Sequence, residues 1–231
     1  MLVGLVAVFG LVQEVHAYRL RTQMLSLLPD DVPASAVLSR FARSQGRSAY
    51  RRECAQCHGG DMRGVRARHT PDLTDRHWLY DGGSVADIER TILYGVRSGH
   101  PKSHNLADMP AIGRLGRLTP DEIGDVSEYV LRLSHQDYVV DRAARGAATF
   151  LGRGVCFDCH GPAGEGNADW GAPAFTADVW MYGGDRTAIA ASIRDGRHGV
   201  CPAFVDKLKP AEIRSIAVAV YLASHKALPH G

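Results

Sequence analysis

Two short runs carry the strongest chemical signal in this chain: Cys54-Ala55-Gln56-Cys57-His58 and Cys156-Phe157-Asp158-Cys159-His160. In a Cys-x-x-Cys-His run the two thiols add across the vinyl groups of a haem, and the adjacent imidazole supplies one axial ligand to the iron. The competing chemistry is a zinc or redox Cys-x-x-Cys. Zinc would need two further thiolates or imidazoles for each run, and the one spare cysteine, Cys201, cannot serve two sites. The expected cofactor is therefore two covalently bound haem c groups. Thioether attachment consumes the paired thiols, so the five cysteines do not form a disulfide framework. Such attachment is made after export, which points to the periplasm.

Each imidazole needs an acceptor on its other ring nitrogen, which sets its tautomer and basicity. Pro71 and Pro173 both lie thirteen residues past the motif histidine, where class I cytochromes c place a proline carbonyl. A turn proline is the alternative. For the opposite axial position Met109, in Asp108-Met109-Pro110-Ala111, is the candidate in the first half, with Met62, His100 and His104 as rivals. In the second half the corresponding residue is Cys201, with Met181 and His198 as rivals. A neutral thioether stabilises reduced iron, whereas a thiolate favours the ferric state, so two such centres would differ in potential. Trp78, Tyr80, Trp180 and Tyr182 recur at matched spacing and are expected to pack against the macrocycles.

The elements that position these residues form an internal duplication. Cys57 to Trp78 and Cys159 to Trp180 are both 21 residues, and Trp78-Leu79-Tyr80 followed by Gly82-Gly83 answers Trp180-Met181-Tyr182-Gly183-Gly184. Each glycine pair precedes an apolar helical stretch, stopped at Gly95 in one copy and Gly196 in the other. Met109-Pro110-Ala111 answers Cys201-Pro202-Ala203. Thr119, Pro120 and Glu122 spell a helix start, and the helix that follows carries Ile123, Val126, Val130 and Leu133 on one face. Ile213, Ile216, Val220 and Ala223 repeat that face, and a further helix precedes each motif. No stretch alternates with period two. The expected fold is all-α, with two tandem class I cytochrome c domains at 36–134 and 138–231 joined by a short linker.

The start of the chain is apolar from Met1 to Val12 and is interrupted at Gln13, Glu14 and His16. Twelve residues span roughly 18 Å as a helix, against a hydrocarbon core of about 30 Å. A truncated membrane anchor, a signal peptide cut after Val15-His16-Ala17 and an interfacial helix compete. The anchor, over residues 1–28, is the favoured reading because the helical pattern runs on through Tyr18, Leu20, Met24 and Leu28 before Pro29 ends it. The positive n-region of a signal peptide is missing. A formal net charge of +2 gives no support to a nucleic-acid partner. No phosphate loop, serine elbow or His-Glu-x-x-His pattern is present, so no catalytic residue is assigned.

On these motifs the chain resembles the dihaem subunit III of cbb3-type cytochrome c oxidases. The marks are Pro71-Asp72-Leu73-Thr74-Asp75, Trp78-Leu79-Tyr80, Met109-Pro110-Ala111, Gly171-Ala172-Pro173, Trp180-Met181-Tyr182-Gly183-Gly184 and Gly196-Arg197-His198-Gly199-Val200. The resemblance implies a membrane-anchored respiratory cytochrome on the periplasmic side of the bacterial inner membrane. Such a subunit takes electrons from a quinol-oxidising complex or a soluble cytochrome and passes them to the other subunits of an oxidase. The chain departs from the family in having cysteine where methionine is usual at position 201, and in its shorter apolar start. Histidine/cysteinate haems also occur in thiosulfate dehydrogenases, so a haem redox enzyme of sulfur compounds is the alternative. A ligand or redox sensor in which Cys201 leaves the iron is a third.

Overall fold

The computed structural model describes residues 2–177 and 179–225. Its elements in chain order are α1 (Leu2–Ser26), α2 (Ala36–Glu53), α3 (Ala55–His58), α4 (Val85–Tyr94), α5 (Pro120–Leu133), α6 (Val140–Leu151), α7 (Phe157–His160), α8 (Arg186–Asp195) and α9 (Pro210–Ser224), with 3-10 turns at Pro29–Ala34 and Arg66–Arg68. Among the described residues there is no strand, only isolated bridges.

Local chemistry explains where the helices begin and stop. The Ser84 hydroxyl accepts from the Asp87 N–H while the Asp87 carboxylate accepts from the Ser84 N–H, closing a capping box on α4. Thr119 and Glu122 close the same box on α5, with Pro120 at its first position. In α9 the cap side chain has become Lys209, and only the Glu212 carboxylate survives, accepting from the Lys209 N–H at 3.1 Å. Helices α4 and α8 end at Gly95 and Gly196, both at positive φ.

The packing does not follow chain order. Helix α2 lies against α9 and α4 also packs on α9, whereas α5 lies against α6 and α8. One core therefore joins Leu38, Ala42 and Tyr50 of α2 and Val85 and Ile88 of α4 to Ile213, Ile216 and Val220 of α9. The other joins Ile123, Val126 and Val130 of α5 to Phe150, Ile189 and Ile193. Each such side chain contributes about 2 kcal/mol through burial. The close crossings rest on two equivalent glycines: a Cβ on Gly46 would collide with the Ser215 carbonyl, and one on Gly146 with that of Asp125. Each core thus takes its motif-bearing helix from one half of the chain and its last helix from the other.

Ion pairs fasten these crossings. Asp125 on α5 accepts from Arg142 (2.6 Å) and Arg145 (2.7 Å) on α6, and the buried Glu128 pairs with Arg186 on α8. Arg214 on α9 pairs with Glu89 and donates to the Met24 and Leu27 carbonyls, tying the end of α1 to the first core. Among the described side chains, α1 docks through this end, by Leu20 and Met24, with Leu27 just beyond it. Val8, Phe9, Leu11, Val12, Val15 and Tyr18 are exposed along the rest. No helix among the described residues is long and apolar enough to cross a membrane.

Candidate functional site

Both Cys-x-x-Cys-His runs form a single helical turn, α3 and α7, placed directly after or close behind a long helix. The following loops are matched turn for turn. The Gly64 N–H donates to the His58 carbonyl as the Gly166 N–H does to that of His160, and the Leu73 N–H donates to Met62 as Phe175 does to Gly164. This loop carries each proline back beneath its histidine. His160 Nδ1 lies 3.2 Å from the Pro173 carbonyl, so that oxygen fixes the proton on Nδ1 and leaves Nε2 free as a ligand. His58 Nδ1 is buried and completes no hydrogen bond, although the Pro71 carbonyl still favours its protonated form. Burial pushes both imidazoles below their ordinary range, which keeps them neutral and able to bind a metal.

All five cysteines are free. Burial is the main cause that pushes Cys54 up to about 12, and Cys156 and Cys201 up to about 11. They therefore stand as neutral thiols. Among the described residues no group of three or more His, Cys, Asp or Glu side chains is arranged to hold a metal ion by itself. Free paired thiols, a neutral imidazole oriented by a backbone carbonyl and apolar walls fit a covalently held haem c.

The walls come from both copies. His160 stacks on Phe175 with centroids 4.5 Å apart, and Phe175 lies parallel to Trp180 at 6.0 Å. Trp180 and Cys156 pack on the core of α5, α6 and α8, while Trp78 and Cys54 pack on the core of α2, α4 and α9.

The sulfur candidates sit opposite to what the repeat order led us to expect. Met109 packs on the core that holds Cys156, not the one that holds Cys54. Cys201 lies close enough to the first motif that its charge raises the pKa of Cys54 and the charge of Cys57 raises that of Cys201. Two backbone bridges make the exchange. Val96 and Cys201 trade both their N–H donors at 2.9 Å, and the equivalent pair Arg197 and Met109 trade theirs at 2.9 and 3.2 Å. The glycines that end α4 and α8 permit it, because a Cβ on Gly95 would strike the Cys201 carbonyl and one on Gly196 that of Met109. The structure thus places Met109 beside the second motif and Cys201 beside the first, the reverse of the order in which the repeat presents them.

The rival ligands are engaged elsewhere. Met62 is buried in the first core. His104 stacks on Tyr80 and lies within 3.4 Å of Asp81, and His100 stacks on Tyr94. His198 faces Asp108 at 2.8 Å. Met181 offers its carbonyl to His69 at 3.3 Å.

Arg97 is a residue that motif reading passed over. Its Nε donates to the Gly199 carbonyl at 2.6 Å, and its Nη1 donates to the Tyr80 hydroxyl and the Ala107 carbonyl. It joins the two exchanged segments. Its position directly after the bridge residue Val96, at positive φ, was the available signal, but φ is not readable from residue types.

Comparison with known proteins identifies the family. A family model described as cytochrome C oxidase, cbb3-type, subunit III matches residues 42–130 and 141–220. The chain is 40% identical over 195 residues to the Cbb3-type cytochrome c oxidase subunit FixP of Bradyrhizobium sp. (strain ORS 278), covering 83% of this chain and 64% of that protein. It is 35% identical over 202 residues to the subunit CcoP of Cereibacter sphaeroides, covering 87% and 68% respectively. To the FixP of Azorhizobium caulinodans it is 37% identical, over 83% of this chain and 63% of that one. The chain thus spans just under two thirds of the length of the first of these relatives. With two matched Cys-x-x-Cys-His turns on a helical frame, and with these likenesses over most of its length, the chain belongs to the family of subunit III of cbb3-type cytochrome c oxidases.

Proposed function

We propose that this chain is a dihaem electron-transfer subunit working with the other subunits of a cbb3-type oxidase or a closely related respiratory complex. One haem c is held by Cys54, Cys57 and His58 and a second by Cys156, Cys159 and His160. The observation that carries the reading is the reciprocal delivery of one sulfur side chain toward each attachment turn, Cys201 toward the first and Met109 toward the second. A haem c at each turn would be held by His58 and Cys201 or by His160 and Met109, which would leave no open position for a substrate and suit transfer of electrons alone. When bound, haem c supplies an iron that gains and loses one electron.

The chain's own residues tune that exchange. Pro173 orients His160, and Pro71 stands in the same place for His58. Phe175, Trp180 and Trp78 would supply apolar walls that exclude water from a bound macrocycle. A Cys201 thiolate would stabilise the ferric state of a haem held at the first turn and the Met109 thioether the ferrous state of one held at the second, so the two would differ in potential. In this reading the sequence repeats 36–134 and 138–231 are two cytochrome c modules that have exchanged their last helices. Residues 1–28 hold the chain at the periplasmic face of the inner membrane, a role supported by the bare apolar surface from Val8 to Tyr18. The donor is a soluble cytochrome or a quinol-oxidising complex.

Mass analysis of mature protein tests the reading. Two bonded haem groups per chain are expected, together with two low-spin paramagnetic signals in the oxidised protein and no binding of carbon monoxide. Fewer than two groups, or turnover of thiosulfate by the purified chain, overturns it.

A further inference from the structure

The two attachment sites are near copies in packing, so a difference between their surfaces is informative. Residues 40–68 hold eight arginines and two acidic residues, whereas the matching residues 142–170 hold three of each sign. Arg40, Arg43, Arg47 and Arg51 are spaced three and four apart and so share one face of α2, where all four are exposed. With Ser44 they line a groove of about 300 Å³. Among the described residues none of the four has an acidic partner, while the adjacent Arg52 pairs with Glu53 and Glu212. The stripe ends one turn before Cys54.

The basic character continues past the motif. Arg63, Arg66 and Arg68 are exposed on the following loop, and Arg68 Nη1 donates at 2.9 Å to the carbonyl of Gln56, between the two attachment cysteines. At the equivalent positions of the second site stand Asp158 for Gln56 and Trp170 for Arg68. Helix stability does not call for such a stripe, since like charges at this spacing repel. A field of one sign around an exposed redox centre steers a partner of the opposite sign and orients it on arrival.

We propose that the exposed arginine face of α2, with Arg68 at the rim of the first attachment turn, is the docking surface for an acidic electron-transfer protein. The inference rests on haem being held at Cys54, Cys57 and His58. One electron passes between partner and first centre, the one oxidised as the other is reduced, with no bond made or broken. An anionic bilayer is the competing occupant. It is disfavoured because the basic residues follow the attachment motif into the loop after it, rather than following α1.

The test uses the full haem-loaded chain, reduced and mixed in a stopped-flow cell with oxidised acidic plastocyanin as probe. In the parent the second-order rate falls steeply with added salt. In Arg40→Glu/Arg43→Glu/Arg47→Glu the low-salt rate falls about tenfold or more and its salt dependence flattens, and the corresponding triple glutamine variant lies between. Arg117→Glu, a single reversal on the side of the second core, leaves the rate unchanged, whereas Arg43→Glu alone lowers it. Equal rates and salt slopes in parent and triple variants overturn the proposal, as does an equal loss from Arg117→Glu. Lost retention on phosphatidylglycerol vesicles with an unchanged plastocyanin rate also overturns it, in favour of the bilayer. A parent lacking haem on Cys54 and Cys57 overturns the functional reading itself, and mass analysis separates that result from the others.

Discussion

Cys201 and Met109 occupy equivalent places, each on an exchanged segment that starts from a glycine-stopped helix and ends at a Pro-Ala pair. Their difference is chemical. A thiol that burial holds near 11 keeps its proton until a cation replaces it, so binding iron there releases a proton and puts an anion on the metal. Cys201→Met is expected to raise the potential of the centre at Cys54, Cys57 and His58 by a few tenths of a volt, within the roughly 0.8 V that axial ligands span. The centre at Cys156, Cys159 and His160 should stay unchanged. Potentiometric titration followed by paramagnetic resonance checks both, and movement of the second centre instead would reassign the ligand. Both Cys-x-x-Cys-His motifs and the two sulfur candidates were legible as candidates, because bonding fixes the residue types and spacings that such sites use. Which sulfur serves which motif was not, because repeat equivalence is the same whether a segment stays in its own half or crosses.

At the scale of elements, α5 shows how a helix is fixed in the far half of the molecule. Its Glu128 is buried, accepts from the Val139 N–H at 2.8 Å and pairs with Arg186 at the start of α8. The Arg186 hydrogen bond holds the Glu128 carboxyl below the ordinary carboxylate range, against the burial that raises it. A carboxyl whose folded pKa is depressed stabilises the fold above its unfolded value, and that contribution is lost as pH falls through the folded one. Glu128→Ala should therefore lower the thermal midpoint by about 5 °C at pH 7. The gap from the parent should narrow as pH falls below the ordinary carboxylate range; a gap that never narrows as pH falls would place the effect in packing alone. The helix itself was readable from Thr119-Pro120 and its apolar face. Its neighbour was not, since the face of α5 is as complementary to an N-terminal helix of either copy.

For the whole molecule, two cores that each draw helices from both halves cannot be divided at the linker without exposing Ile123, Val126 and Val130 on one piece and Ile213, Ile216 and Val220 on the other. Residues 1–136 and 137–231 produced separately should show neither a cooperative thermal transition nor protected amides, and should recover both when mixed. Independent cooperative folding of either piece would contradict the interleaving. The all-helical architecture and its duplication were open to sequence reading because period and spacing record them. The partner of each helix is set by a symmetry that leaves residue types untouched. The bridge between Val96 and Cys201 also bears on synthesis. Position 54 leaves the ribosome long before position 201, so the thiols of the first motif are open to modification before the cysteine that comes to lie near them has been made. Messages cut short anywhere upstream of Gly196 would yield a product whose leading half still awaits its cap.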